Sequence, residues 1–368
     1  MRSDNALYEK GSIMDIINKQ IDIPYLLKIG SGKIAKIGKY LFDKGMMQIA
    51  LFMGEGIENI IGADLRSGIK KWNVNIAYEH EVKEIDIDNI THQAFFLPSV
   101  SAIVGVGGGK ALDFAKYAAH LLKLPFISIP TAISNDGFSS PTSSLTVLGQ
   151  RKSVKSGIPF GVVIDLDIIK NSPDIFLYSG IGDMLSKVTA LRDWRMARDK
   201  GLERYVDFAA VLAYNSLDIL FLKYSYDIHS SNFQRSLASS LTMSGLSMEI
   251  AGSSRPASGS EHLISHALDT ICKKPKMHGI QVGIATYLCA LLQKNDQAEG
   301  IRIIFSETGF SEHVYNDPFD YNEFITAIRL APTIKSNFYT ILSEHDSFDR
   351  AVTLIENDGL LNKALKRG

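Results

Sequence analysis

Ala102-Ile-Val-Gly-Val106 runs without a polar residue straight into Gly107-Gly108-Gly109-Lys110, and Ala111 to Leu122 continues with helical periodicity. No other feature restricts the fold as much. A short apolar run that stops at glycines and resumes as a helix describes a strand buried on both faces, followed by a crossover helix. The same beat recurs along the first half. Met46 to Met53 reads as a strand ending at Gly54-Glu55-Gly56, Asn73 to Tyr78 as a second, Ala102 to Val106 as a third and Phe126 to Ile129 as a fourth, with helix-length segments between. The expectation is an α/β N-terminal domain built on a doubly wound, Rossmann-like parallel sheet, with ligands at the carboxyl ends of its strands.

From about Gly180 onward, helical periodicity dominates and strand signals nearly vanish, which predicts an all-α C-terminal domain. The boundary is expected between Val163-Ile-Asp165 and Gly180. This gives residues 1–175 as a dinucleotide-binding α/β domain and residues 176–368 as a helical metal- and substrate-binding domain. A chain of 368 residues, 45% hydrophobic and 21% charged, has enough apolar material for two cores. A formal net charge of -1 with scattered Lys and Arg leaves no footprint for nucleic acid or an anionic membrane. Cys272 and Cys289 form no Cys-x-x-Cys pair, so neither a disulfide framework nor a thiolate zinc site is expected, and a reducing cytoplasm fits. The polar start Met1-Arg-Ser-Asp-Asn5 and the lack of an 18-residue apolar run predict a protein that is neither exported nor membrane-inserted. Lys363 to Gly368 reads as a fraying polar tail.

Three segments carry chemistry. Gly107 to Gly109 lets backbone amides approach an anion at the positive end of the following helix, although glycine turns also occur there for steric reasons alone. Pro130-Thr131-Ala-Ile-Ser134-Asn-Asp136-Gly137 brings hydroxyls and a carboxylate to another strand end, where they can equally cap a turn. In Ser258-Gly-Ser-Glu-His262-Leu-Ile-Ser-His266, a helix from Glu261 to Ile271 places both histidines on one face, with Leu263, Ile264, Ala267 and Leu268 free to pack inward. A single histidine is more often a satisfied core or surface residue. Here His278, in Met277-His-Gly-Ile-Gln-Val-Gly283, is a third with similar apolar, glycine-rich flanks.

Several strings, in order over most of the chain, resemble the sn-glycerol-1-phosphate dehydrogenase family. They are Gly105-Val-Gly-Gly-Gly-Lys110, Pro130 to Gly137 with Ser139-Ser-Pro141, Gly180-Ile-Gly-Asp183-Met-Leu-Ser-Lys187 with Thr189-Ala and Asp193-Trp194, and Ser254-Arg255-Pro-Ala-Ser-Gly-Ser-Glu-His262. The superfamily also holds iron-containing alcohol dehydrogenases, glycerol dehydrogenase and 3-dehydroquinate synthase, and the expected architecture is that dehydroquinate synthase-like fold. By position, the resemblance implies one divalent metal on Asp183, His262 and His278. One carboxylate and two imidazoles suit Zn2+, with Fe2+ or Ni2+ as alternatives. It implies substrate contacts from Asp183, His266 and Asp136. NAD or NADP would meet Gly107, Gly108, Gly109, Lys110, Asp113, Thr131, Ser134 and Ser140. The implied reaction is reversible reduction of dihydroxyacetone phosphate to sn-glycerol 1-phosphate.

Asn135 departs from the histidine usual in that family, which leaves the exact substrate open. Arg255 is suggested by location as partner of a substrate phosphate, with Arg151, Lys152 and Lys155 as rivals. Other readings are a polyol or glycerol dehydrogenase, a sugar-phosphate cyclase of the dehydroquinate synthase type, whose first metal position is usually glutamate, and a catalytically silent dinucleotide-binding protein. The expected partners are a small phosphorylated substrate and further copies of the chain, as a homodimer or larger homo-oligomer.

Overall fold

The computed structural model describes residues 21–221 and 225–367. The polar segment Met1 to Asn5, and Gly368 at the other end, lie outside the described residues. The first half holds strands β1 (Leu26–Gly30), β2 (Gln48–Gly54), β3 (Asn75–Val82), β4 (Ala102–Gly107), β5 (Phe126–Pro130), β6 (Thr142–Val147), β7 (Gln150–Lys155) and β8 (Gly161–Asp165). Six of them form one parallel sheet in the order β1-β8-β5-β4-β2-β3, while β6 and β7 stand apart as an antiparallel hairpin. Helices α1 (Ile37–Phe42), α2 (Ala63–Lys70), α3 (Ile87–Phe95), α4 (Gly109–Leu122) and α5 (Leu166–Lys170) connect or flank the strands. Then come α6 (Asp174–Leu185), α7 (Lys187–Asp199), α8 (Asp207–Phe221), α9 (Ser231–Ala251), α10 (Ser260–Ile271) and α11 (His278–Leu292), with further helices to Ala364.

The central strands are buried along their length because helices cover both faces. Alternation along β2 sorts them. Ile49, Leu51 and Met53 join Val104, Ile127 and Val163 under α1 and α2. Ala50 and Phe52 join Ile103, Val162, Ile164 and Phe114 on the other face, in a cluster continuous with Leu177, Ile181, Leu241, Leu263 and Ile284 of the helical half. One face of the sheet therefore shares its core with the helices. The sheet ends at Asp165, and the position between residues 175 and 176 falls in the first turn of α6.

The expected α/β sheet with a helical C-terminal half is what the chain forms. Two sheet strands and the hairpin go beyond the sequence reading. Edge strand β1 is five residues with Lys28 at its centre, and Gly161-Val-Val-Ile-Asp165 read as a boundary is β8. The hairpin strands are polar, and their turn uses Leu148 and Gly149 at φ of 52° and 75°. The C-terminal tail also needs correcting. Lys363 and Ala364 end a helix, and Leu365–Lys366 pairs in parallel with Phe319–Asp320, because Ala364 and Leu365 are apolar enough to be buried. Among the described residues, no helix is long and apolar enough to cross a membrane.

Candidate metal and dinucleotide site

Asp183, His262 and His278 come from three helices that meet at one point. α6 and α11 cross at glycines, since a Cβ on Gly182 would lie 2.0 Å from the Gly279 carbonyl oxygen and one on Gly279 would lie 1.8 Å from that of Ser179. Only hydrogen at these positions permits the approach. It sets Asp183, beside Gly182, against His278, beside Gly279. α10 runs alongside and presents His262 from its first turn, while Leu263, Ile264, Ala267 and Leu268 are buried as its periodicity requires.

One Asp183 oxygen, Oδ1, stands 3.6 Å from His262 Nε2 and 3.6 Å from His278 Nε2. The three donor atoms all lie within 4.8 Å of one another. Donors held ~2.1 Å from a tetrahedral ion are themselves roughly 3.4 Å apart, so the two 3.6 Å separations from Asp183 Oδ1 suit a small divalent cation. Each imidazole is also held through its other nitrogen. His262 Nδ1 is 2.9 Å from Glu261 Oε1, and His278 Nδ1 is 3.3 Å from Ser265 Oγ. His266 lies one helical turn beyond His262, its ring centroid 6.2 Å from those of His262 and His278. Burial, then the charges of His278, His262, Lys335 and Arg151, hold His266 well below the usual imidazole range, so it is neutral at neutral pH.

Lys187, which the sequence reading passed over, organises the acids. Its side chain is fully buried, and Nζ donates to the Asp183 backbone carbonyl at 2.7 Å and to Asp136 Oδ2 at 3.1 Å, while standing 3.6 Å from Asp183 Oδ2. Ser244 donates to the same Asp136 oxygen at 2.6 Å, and the Asp136 N–H donates to Asp183 Oδ2 at 3.0 Å. Burial alone would raise the Asp183 carboxyl. Lys187, His262 and His278 outweigh it and hold the group well below the carboxylate range. Spacing held a clue, because Lys187 follows Asp183 by four residues in an otherwise apolar stretch.

The strand ends open into a cleft of about 860 Å³ lined by Gly108, Gly109, Thr131 and Ser134, and by Met277 next to His278. Gly107 turns at φ of 140°, and α4 begins with Gly108 and Gly109 exposed and without a side-chain cap. The opposite wall is Gly32 to Ala35 and Ile57 to Lys71, segments the sequence could not assign because they belong to other strand ends. Asp165 fixes that wall by accepting from the Gly32 and Ile34 amides at 3.2 and 2.8 Å.

The remaining expected residues sit elsewhere. Lys110 is exposed on the first turn of α4. Asp113 is buried against Lys116 at 3.2 Å and accepts the Ser144 amide at 3.1 Å. The buried Ser140 hydroxyl donates to backbone carbonyls of Gly137 and Thr142. Asn135 caps the following turn, its Oδ1 accepting from the Gly137 amide at 2.9 Å. Arg255 is a correction. It is 1% exposed, ion-paired with Glu203, donates to the Tyr339 carbonyl and stacks 3.5 Å from the Phe338 ring centre, so its charge is committed inside the protein.

An iron-containing alcohol dehydrogenase family model matches residues 28–173. Glycerol-1-phosphate dehydrogenase [NAD(P)+] of Thermococcus sibiricus is 35% identical over 317 residues, covering 85% of this chain and 89% of that protein. The protein of the same description from Metallosphaera sedula is 32% identical over 341 residues, 90% of this chain and 95% of its own. Among solved structures, glycerol dehydrogenase from Schizosaccharomyces pombe superposes with a TM-score of 0.75 at 21% identity, over 94% of this chain and 92% of that one.

Proposed function

This chain belongs to the glycerol-1-phosphate dehydrogenase family of NAD(P)-dependent oxidoreductases that use a divalent metal, and on that premise we propose that it interconverts dihydroxyacetone phosphate and sn-glycerol 1-phosphate. Asp183, His262 and His278 are the protein ligands of one ion in this reading. The observation that carries it is the single Asp183 oxygen equidistant from two imidazole nitrogens, with Met277, the neighbour of His278, lining the glycine-edged cleft. A divalent ion, zinc or iron by its donor set, supplies Lewis-acid polarisation of a carbonyl oxygen, and NAD(P)H supplies the hydride.

The chain's own residues do the rest. The exposed amides of Gly108 and Gly109, at the N-terminus of a 14-residue helix, bind the cofactor pyrophosphate. Thr131 and Ser134 hold the cofactor along the cleft. Lys187 and Ser244 fix Oδ2 of Asp136, leaving its other oxygen to orient a substrate hydroxyl. The neutral His266 offers one ring N–H donor and one ring nitrogen acceptor to a substrate hydroxyl. Arg255 is ion-paired with Glu203, and Lys335 packs on the same Phe338 ring, 4.7 Å from its centre; with Arg151 of the hairpin, these are the cations this reading offers to the substrate phosphate. In this reading residues 1–175 carry the dinucleotide and residues 176–368 the ion and most of the substrate site, with Asp136 and Arg151 reaching the substrate from the first half. Two free cysteines fit a reducing cytoplasm, and the exposed Leu202, Phe208, Val211 and Tyr214 fit a homo-oligomeric contact.

The test is NADH and NADPH oxidation by metal-loaded protein on dihydroxyacetone phosphate against free dihydroxyacetone, with chiral analysis of the product. We expect metal-dependent turnover of the phosphate ester, and loss of bound metal and rate in His262→Ala and His278→Ala. Equal turnover of free dihydroxyacetone would replace this reading with a polyol dehydrogenase, and full activity in either variant would remove the ligand assignment.

A further inference from the structure

Glu261 is a completely buried carboxylate beside a second one. A Cβ on Gly259 would lie 2.7 Å from Asp193 Oδ2 and 3.0 Å from Glu261 Oε2, so both acids enclose that residue. Buried carboxylates are rare unless paired, and two together are costly. Glu261 has no Lys or Arg partner within salt-bridge distance among the described residues; its ionic neighbour is His262. Three donors instead hold it rigidly. Oε1 accepts from the Gly259 amide at 2.6 Å and faces His262 Nδ1 at 2.9 Å, and Oε2 accepts from the Thr189 hydroxyl at 2.6 Å.

We propose that Glu261 is a positioning residue for the cation site, acting through His262. Its carboxylate keeps the proton on Nδ1, which leaves the Nε2 lone pair facing Asp183 and makes that nitrogen a stronger donor. The inference rests on Asp183, His262 and His278 being ligands. Formal charge agrees with it. Asp136, Asp183, Glu261 and, above about pH 6, Asp193 outnumber Lys187, so the surroundings of the triad favour a cation. The two histidines are therefore unequal. His262, with its side chain 11% exposed and an ionic partner, is the fixed anchor. His278, 31% exposed and held by one neutral hydroxyl at 3.3 Å, is the adjustable ligand.

Glu261→Gln keeps the shape and removes the charge. In the metal-free protein reloaded with Zn2+ against a chromophoric chelator, the variant should bind at least 10-fold more weakly than wild type, within the roughly 10–100-fold range of such partners. Ser265→Ala, which strips the neutral partner of His278, should lose less. Affinity of Glu261→Gln within threefold of wild type, or a larger loss in Ser265→Ala, overturns the proposal. Wild-type protein that binds no Zn2+ would instead overturn the ligand assignment. Should the variant not fold, 15N-histidine spectra of Zn2+-loaded wild type decide. They must show His262 bound through Nε2 with a slowly exchanging proton on Nδ1, and binding through Nδ1 refutes the role.

Discussion

Replacing Gly182 by alanine tests how the site is built, because the change adds one methyl group and touches no donor atom. The new Cβ would lie 2.0 Å from the Gly279 carbonyl oxygen, 3.0 Å from its carbon and 3.1 Å from Gly283 Cα. An ordinary contact needs about 3.2 Å or more, so α6 and α11 must separate by roughly 1.2 Å, because both partners are backbone and close-packed. Overpacking of this kind costs about 1–3 kcal/mol. The neighbours of the two glycines are Asp183 and His278, whose donor atoms stand 3.6 Å apart. Opening that gap by the same amount carries it past ~4.2 Å, the widest separation two donors bound at ~2.1 Å can have. Gly182→Ala should therefore stay folded with a lowered Tm, yet lose most bound metal and with it most of kcat. Metal content by mass spectrometry, thermal melts and NADH oxidation would be compared with Gly359→Ala, where no atom lies within 4 Å of the added Cβ. Wild-type metal stoichiometry with an unchanged Tm in Gly182→Ala would refute the claim that glycine contact sets the ligand geometry.

At Gly109 an added Cβ meets nothing within 4 Å; Gly109→Ala should leave Tm the same or slightly higher but raise the KM for NAD(P)H at least 10-fold, and an unchanged KM would place the pyrophosphate elsewhere. Lys187→Met removes the buried ammonium shared by Asp183 and the partly buried Asp136, so urea unfolding at pH 7 should show a loss of about 3–5 kcal/mol. Asp183 is held low partly by Lys187, so its stabilisation is present above the ordinary carboxylate range and is lost as pH falls below about 4; the variant should therefore lose less between about pH 5 and pH 2 than wild type does. Asp193 has the opposite sign. Burial first, then the Glu261 charge, push it up to about 6, so the folded state holds a proton that the unfolded chain has released. Stability from this group falls as pH rises from about 4 to 6, by roughly 3 kcal/mol, and is flat above. Denaturant titrations across that window should show a shallower fall in Glu261→Gln, and identical slopes would refute the coupling.

Local signals made half of this protein readable in advance. Apolar runs such as Ala102 to Val106 are long enough to announce buried strands, and the spacing of His262 and His266 places them on one helix face whatever surrounds them. Motif strings pointed to Asp183, His278 and Asp136 by resemblance. Polar strands such as Gln150 to Lys155 carry no alternation, so their pairing with Thr142 to Val147 was not legible. Arg255 looked available until Glu203 and Phe338, distant in sequence, closed around it. Lys187 and Glu261 were visible as letters, but a charge acquires its role only from what faces it once water is excluded. Periodicity and turn chemistry act over a few residues, so sequence determined the elements and the identity of the donors. Distances between Asp183, His262 and His278 depend on how closely three helices pack, and only the tertiary structure decided them.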